Sequence, residues 1–219
     1  ADWYRFVMNG PGTSADFVQL SFSHSQGNLD LEVYRADGAT LVGRSTTTGN
    51  QETVSLNNQT VGTYYARVYG AANPSYALTI DPAPDWFAAN LQDTGLRSLA
   101  VARTRDGQLS RTDMIEILRA AKDGSTVDAS ELHDFRALVS SAAGLGMPDY
   151  VHGLSDNVVN HEVANARYQG GTLGDLVVGS TDTHLENLIG KWFYGTDHPA
   201  AGAGTTYRTV SGSLFQSGA

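Results

Sequence analysis

Tyr76-Ala77-Leu78-Thr79-Ile80-Asp81-Pro82-Ala83-Pro84-Asp85-Trp86-Phe87 is where the chain changes its hydrophobic period. Up to Ile80, apolar and polar residues alternate, as in a half-buried β-strand. Two prolines in three residues then stop the strand, because proline lacks an N–H and keeps the residue before it extended. Asp85 follows at the position of a helix N-cap, ahead of Trp86, Phe87 and Leu91, which fall on roughly one helical face.

Upstream of this junction the two-residue period recurs at short intervals. Phe17-Val18-Gln19-Leu20-Ser21-Phe22, Leu29-Asp30-Leu31-Glu32-Val33-Tyr34, Glu52-Thr53-Val54-Ser55-Leu56 and Tyr64-Tyr65-Ala66-Arg67-Val68-Tyr69 all alternate, and Asp37-Gly38 is a hairpin signal. Downstream the period becomes helical. Ser110-Arg111-Thr112-Asp113 and Asp128-Ala129-Ser130-Glu131 read as capping boxes opening apolar-periodic segments, and further helices are predicted near 149–159 and 182–193. Gly144, Gly146, Gly170 and Gly171 mark breaks. The expected fold therefore has two domains. An all-β antiparallel sandwich occupies 1–81, a linker 82–84, a mainly α-helical domain with EF-hand-like hairpins 85–199, and an extended Gly-, Thr- and Ser-rich tail 200–219.

Composition narrows function. The 219 residues are 41% hydrophobic and 17% charged, enough to build cores. The net charge of −9 and the absence of a basic stripe argue against a grip on nucleic acid phosphates. No apolar run is long enough to span a bilayer. No signal-peptide pattern opens the chain: Ala1-Asp2-Trp3-Tyr4-Arg5-Phe6 already reads as a strand, so any leader is expected to have been processed away or not included. There is no cysteine, which excludes a cysteine nucleophile, a disulfide framework and a thiolate metal site within these residues.

Other chemistry is weakly marked. Gly179-Ser180 and Gly212-Ser213 lack the G-x-S-x-G elbow, and histidines 24, 133, 152, 161, 184 and 198 show no close ligand pair. A serine triad forms in space and stays open at this point, without a local signature for any member. Two stretches resemble the back half of a calcium-binding loop. With Gly107 at the central turn, Asp106 and Asp113 are its carboxylates and Ala102 stands at the entry. With Gly124 there, Asp123, Asp128 and Glu131 are the candidates, Arg119 stands at the entry and Glu131 falls one place late. Calcium wants six to eight oxygens, so helical hairpins that fold without metal are the expectation and calcium the alternative. Tyr64, Tyr65, Tyr69 and Tyr76 suggest a binding platform, but alternation sends half of such residues into a core, and packing is the plainer account.

Residues 2–81 resemble the bacterial pre-peptidase C-terminal domain, a β-sandwich appended to secreted peptidases. The likeness lies in Asp2-Trp3-Tyr4-Arg5-Phe6, in Leu29–Tyr34 with Asp37-Gly38, in Gly62-Thr63-Tyr64-Tyr65-Ala66-Arg67-Val68-Tyr69 and in Tyr76–Ile80. Residues 85–215 resemble the helical region that precedes the catalytic domain in bacterial calpain-like (family C2) cysteine peptidases. Asp85-Trp86-Phe87, Ser110–Ile115, Gly146-Met147-Pro148-Asp149-Tyr150-Val151, Lys191-Trp192-Phe193 and Val210–Phe215 carry that likeness. The resemblance implies a secreted, non-catalytic propeptide or regulatory segment, partnered by the catalytic domain of its own precursor and inhibiting or chaperoning that protease before maturation. None of the family's catalytic residues maps onto this chain. The other reading is a free-standing extracellular binding or adhesion module unrelated to proteolysis.

Overall fold

The computed structural model describes residues 1–197; His198, Pro199 and the expected tail lie outside them. The chain divides into two compact units. The first comprises residues 1–89, 101–108 and 143–146, and the second comprises 90–100, 109–142 and the chain from 147 onward. The expected linker 82–84 thus lies inside the first unit, and two short segments from the helical half belong to that unit as well.

The first unit holds β1 (Asp2–Met8), β2 (Phe17–Phe22), β3 (Leu29–Arg35), β4 (Leu41–Ser45), β5 (Gln51–Ser55), β6 (Gly62–Gly70) and β7 (Tyr76–Asp81). They form two antiparallel sheets, ordered β1-β6-β3-β4 and β5-β2-β7. Alternation decides what faces inward: Val18, Leu20, Leu31, Val33, Ala66 and Val68 from both sheets are buried in one cluster. Each of the valines and leucines contributes about 1.5–3 kcal/mol by leaving water, and Ala66 less than about 1 kcal/mol. The β3–β4 turn is built on Asp37-Gly38 as expected. Gly38 takes φ +66°, and Asp37 accepts from the Thr40 hydroxyl and from the Thr40 and Ala39 amides. Those bonds, the hydroxyl first, hold the Asp37 carboxyl down to about 2.

Backbone contacts bring the two helical-half segments into this unit. Thr63 N–H donates to the Arg105 carbonyl at 3.0 Å and Val61 N–H to the Gly144 carbonyl at 3.1 Å. The approach requires glycine. At Gly62 (φ +140°) a Cβ would lie 2.8 Å from the Gly107 Cα, and at Gly146 (φ +69°) it would lie 2.2 Å from the Gly107 carbonyl oxygen.

The helices are α1 (Trp86–Asn90), α2 (Thr94–Arg103), α3 (Arg111–Ala120), α4 (Ala129–Ser140), α5 (Asp149–Val159) and α6 (Asp182–Phe193), with a small ladder of β8 (Arg167–Tyr168) and β9 (Gly171–Thr172). Asp85 caps α1 by accepting from Ala88 N–H at 3.0 Å. In the second unit α3–α6 bury Met114, Ile117, Phe135, Leu138, Val158 and Leu188. The buried Asp134 of α4 accepts from Gln92 and Asp93 N–H at 2.8 and 2.9 Å, satisfying amides at the start of α2.

EF-hand-like hairpins are not established here. In such a pair the loop at 119–131 would join the loop at 102–113 through their apolar residues. Instead Val127 N–H donates to the Ser180 carbonyl and Gly179 N–H to the Val127 carbonyl, both at 2.8 Å, while Thr126 bridges Thr181. The partner of this loop is the entry to α6, which periodicity within each loop does not reveal.

Gly146→Ala is expected to cost about 1–3 kcal/mol, read as a lower urea midpoint at unchanged slope. Gly153→Ala is the contrast. Its added Cβ meets nothing, and it lies inside α5, so it should stabilise by about 0.4–1 kcal/mol.

Candidate binding face on the four-stranded sheet

The parity that sends Leu31 and Val33 inward turns Asp30, Glu32 and Tyr34 outward, and pairing aligns them with neighbouring strands. Trp3 stands opposite Arg67, Arg67 opposite Glu32 and Glu32 opposite Arg44, making one row across all four strands. Arg5, Tyr65 and Tyr34 form a second row, and Tyr69 with Asp30 begins a third. Glu32 is buried although it faces away from the core. Its Oε2 accepts from the Tyr34 hydroxyl at 2.6 Å and from Arg67 Nη1 at 3.0 Å. Burial pushes this carboxyl up, but the two hydrogen bonds and the Arg67 and Arg44 charges outweigh it, and its net position is below the ordinary glutamate value. The Tyr34 phenol is pushed up by the same bond.

Arg67 is held between rings as well as by charge. Its guanidinium carbon lies 4.7 Å from the Tyr69 ring centroid and 5.7 Å from that of Trp3. Trp3 in turn packs on Tyr34, ring centroids 5.4 Å apart. Trp3 remains 51% exposed, and Arg5 and Arg44 are exposed. The face therefore offers planar rings and oriented guanidinium donors, a combination typical of residues that dominate protein interfaces.

The four tyrosines singled out from the sequence separate cleanly. Tyr64 is buried, stacks on Phe6 at 5.7 Å and donates to the Thr60 carbonyl at 2.7 Å. Tyr65 and Tyr69 face outward. Tyr76 sits at the sheet edge, where its hydroxyl bonds Tyr4 and Asp2 at 2.6 and 2.5 Å; burial first, then these partners, push its phenol up. Trp3, Arg5, Glu32, Tyr34, Arg44 and Arg67 were not singled out. Their shared parity was readable within each strand, but the strand order that unites them was not.

The calcium candidates are placed separately. Asp106 is exposed in the turn after α2 and accepts from Gln108 N–H at 3.0 Å. Asp113 closes a capping box with Ser110 at the start of α3. Asp123 is exposed at the end of a short helical turn after α3. Asp128 and Glu131 cap α4 reciprocally: Asp128 Oδ1 accepts from Glu131 N–H at 2.9 Å, and Glu131 Oε2 from Asp128 N–H at 2.7 Å. Among the described residues no group of three or more His, Asp or Glu side chains converges as a metal site. The Glu131 amide, followed by the Ser130 hydroxyl, lowers the Asp128 carboxyl. Burial raises Glu131, aided by the charges of Asp128, Asp123 and Asp93.

His133 pairs with Asp134 at 3.1 Å and His161 with Asp175 at 2.5 Å. Among the described residues neither pair has a serine hydroxyl bonded to its histidine. A groove of about 560 Å³ along α4, lined by Leu132, His133, Arg136, Ser140, Asn160 and Val178, also went unread in the sequence.

Residues 1–70 match the family described as the bacterial pre-peptidase C-terminal domain, so this part of the chain is such a domain. The match stops before β7, yet β7 pairs with β2 along its whole length and completes the second sheet. A search of curated proteins returned no match.

The raised Glu131 carboxyl gives a signed expectation. Its folded form holds the proton more tightly than the unfolded chain, so its favourable contribution is present below the ordinary glutamate value, about 4.3, and is lost as pH rises through the folded value. Glu131→Gln keeps an amide oxygen for the Asp128 N–H. It should raise the melting temperature at neutral pH, with the difference closing below about pH 4, as followed by circular dichroism.

Proposed function

We propose that this chain is the non-catalytic propeptide or regulatory part of a secreted calpain-like cysteine endopeptidase. The observation that carries the reading is the pre-peptidase C-terminal domain at residues 1–70. The likeness of 85–215 to the helical region of calpain-like peptidases supports the finer assignment. With no cysteine in the chain, the nucleophile belongs to a separate catalytic domain of the same precursor. No described helix is long and apolar enough to cross a membrane. The helical half holds the catalytic domain inactive, and residues 202–219, outside the described residues, reach its cleft. While covalently attached, such a segment acts at an effective concentration in the millimolar range, so modest contacts suffice until cleavage releases it.

The loops at 102–113 and 119–131 work without calcium in this reading. Asp113, Asp128 and Glu131 each accept from a backbone amide at a helix N-terminus, and the entry positions carry Ala102 and Arg119. Isothermal titration should show no sub-micromolar calcium binding. Tight binding lost in Asp106→Ala or Asp123→Ala contradicts this.

Added to the mature catalytic domain of its parent, the chain should inhibit cleavage of a peptide substrate, and a version truncated after Pro199 should inhibit less. The chain alone should show no turnover. Absence of inhibition at tens of micromolar, or equal inhibition by both versions, removes the tail from the mechanism.

A further inference from the structure

We infer that the outward face of β1-β6-β3-β4 is a docking surface for an extended, carboxylate-rich polypeptide segment bearing aromatic side chains. This goes beyond the propeptide reading and does not depend on it. Charge is the first argument. Residues 1–83 contain four basic residues, all arginine, in a chain of net charge −9. Three of the four, Arg5, Arg44 and Arg67, lie in adjoining rows of this one face, against two carboxylates there, Glu32 and Asp30. Only Arg67 is neutralised, by Glu32 at 3.0 Å; among the described residues neither Arg5 nor Arg44 forms an ion pair.

The choice of arginine is the second argument. Both lysines of the chain, Lys122 and Lys191, lie elsewhere in sequence, and the planar guanidinium fork matches a carboxylate in two-point geometry. Arg67 is already oriented by Glu32, Trp3 and Tyr69, so little freedom is lost when a ligand arrives. The half-exposed Trp3 ring and the partly exposed rings of Tyr65 and Tyr69 supply the apolar area between these charges.

The composition of the strands separates a polypeptide from a hydroxyl-rich polysaccharide. β1, β3, β4 and β6 contain no Asn or Gln, the side chains best able to donate and accept at hydroxyl groups. The donors on this face are guanidinium groups and phenols, which suit carboxylate oxygens.

The test is binding of a fluorescein-labelled poly(Glu,Tyr) copolymer to the full 219-residue chain by anisotropy, with polygalacturonate as a second polyanion. Circular dichroism verifies that each variant is folded. Saturable binding of the copolymer is expected, weakened about tenfold or more by Trp3→Ala or Arg44→Glu. It should fall with added salt and remain unchanged in Arg136→Glu, on the α4 groove. Equal or tighter binding of polygalacturonate overturns the inference in favour of an acidic polysaccharide. Copolymer binding that is indifferent to Trp3→Ala and Arg44→Glu, or no binding at all, also overturns it.

Discussion

A carboxylate buried on the outward side of a sheet must be met by donors fixed on neighbouring strands, and Glu32 imposes that requirement on the first unit. Leaving it unpaired would cost the desolvation of a charge, so Arg67 and Tyr34 have to stand where they do. Register makes this a constraint on the whole sheet. A slip of one residue in β3 would turn Glu32 toward Leu20 and Val68 and expel Leu31 and Val33. The same alignment that closes the apolar core thus assembles the row Trp3, Arg67, Glu32 and Arg44 on the other side.

The second unit meets a different requirement with similar means. Its helix N-termini present amides that need acceptors, and an acidic sequence supplies them. Ser110 and Asp113 close α3, Asp128 and Glu131 close α4, and Asp134 reaches the start of α2. Carboxylates placed there also meet the positive end of the helix dipole. Residues that look like metal ligands when read as a loop act as caps when read as helix ends. The two roles compete for the same oxygens; at Glu131 burial raises the carboxyl while the Asp128 amide it caps pulls it down.

Legibility in the sequence followed the range of the interactions. The strands, the Asp37-Gly38 turn, the caps at Ser110 and Asp128 and the helices at 149–159 and 182–193 depend on neighbours within a few residues, and periodicity revealed them. The partner of Val127 lies some fifty residues downstream at Gly179 and Ser180, and no local pattern announces it. The same holds for the approach of Gly62, Gly107 and Gly146, which places helical-half segments in the first unit. The proposed binding face fell between these cases. Arg67 and Tyr69 share parity within β6, but Trp3 joins them only because β1 lies beside β6. Alternation within β6 separates Tyr65 and Tyr69 from the buried Tyr64, but it does not bring Arg5 and Arg44 to the same face.

The central claim is that this chain presents a ligand-binding sheet face on a non-catalytic domain, and its three tryptophans report on that claim individually. Trp3 lies on the face, Trp86 opens α1, and Trp192 donates its indole N–H to Asn165 at 2.7 Å in the second unit. The direct measurement is proton–nitrogen NMR of the three indole N–H resonances, assigned by substitution, during titration with the acidic aromatic copolymer. The account predicts a progressive, saturable shift of the Trp3 resonance while that of Trp192 stays in place. A shift confined to Trp192, or an unmoved Trp3 under conditions where the copolymer is bound, contradicts it.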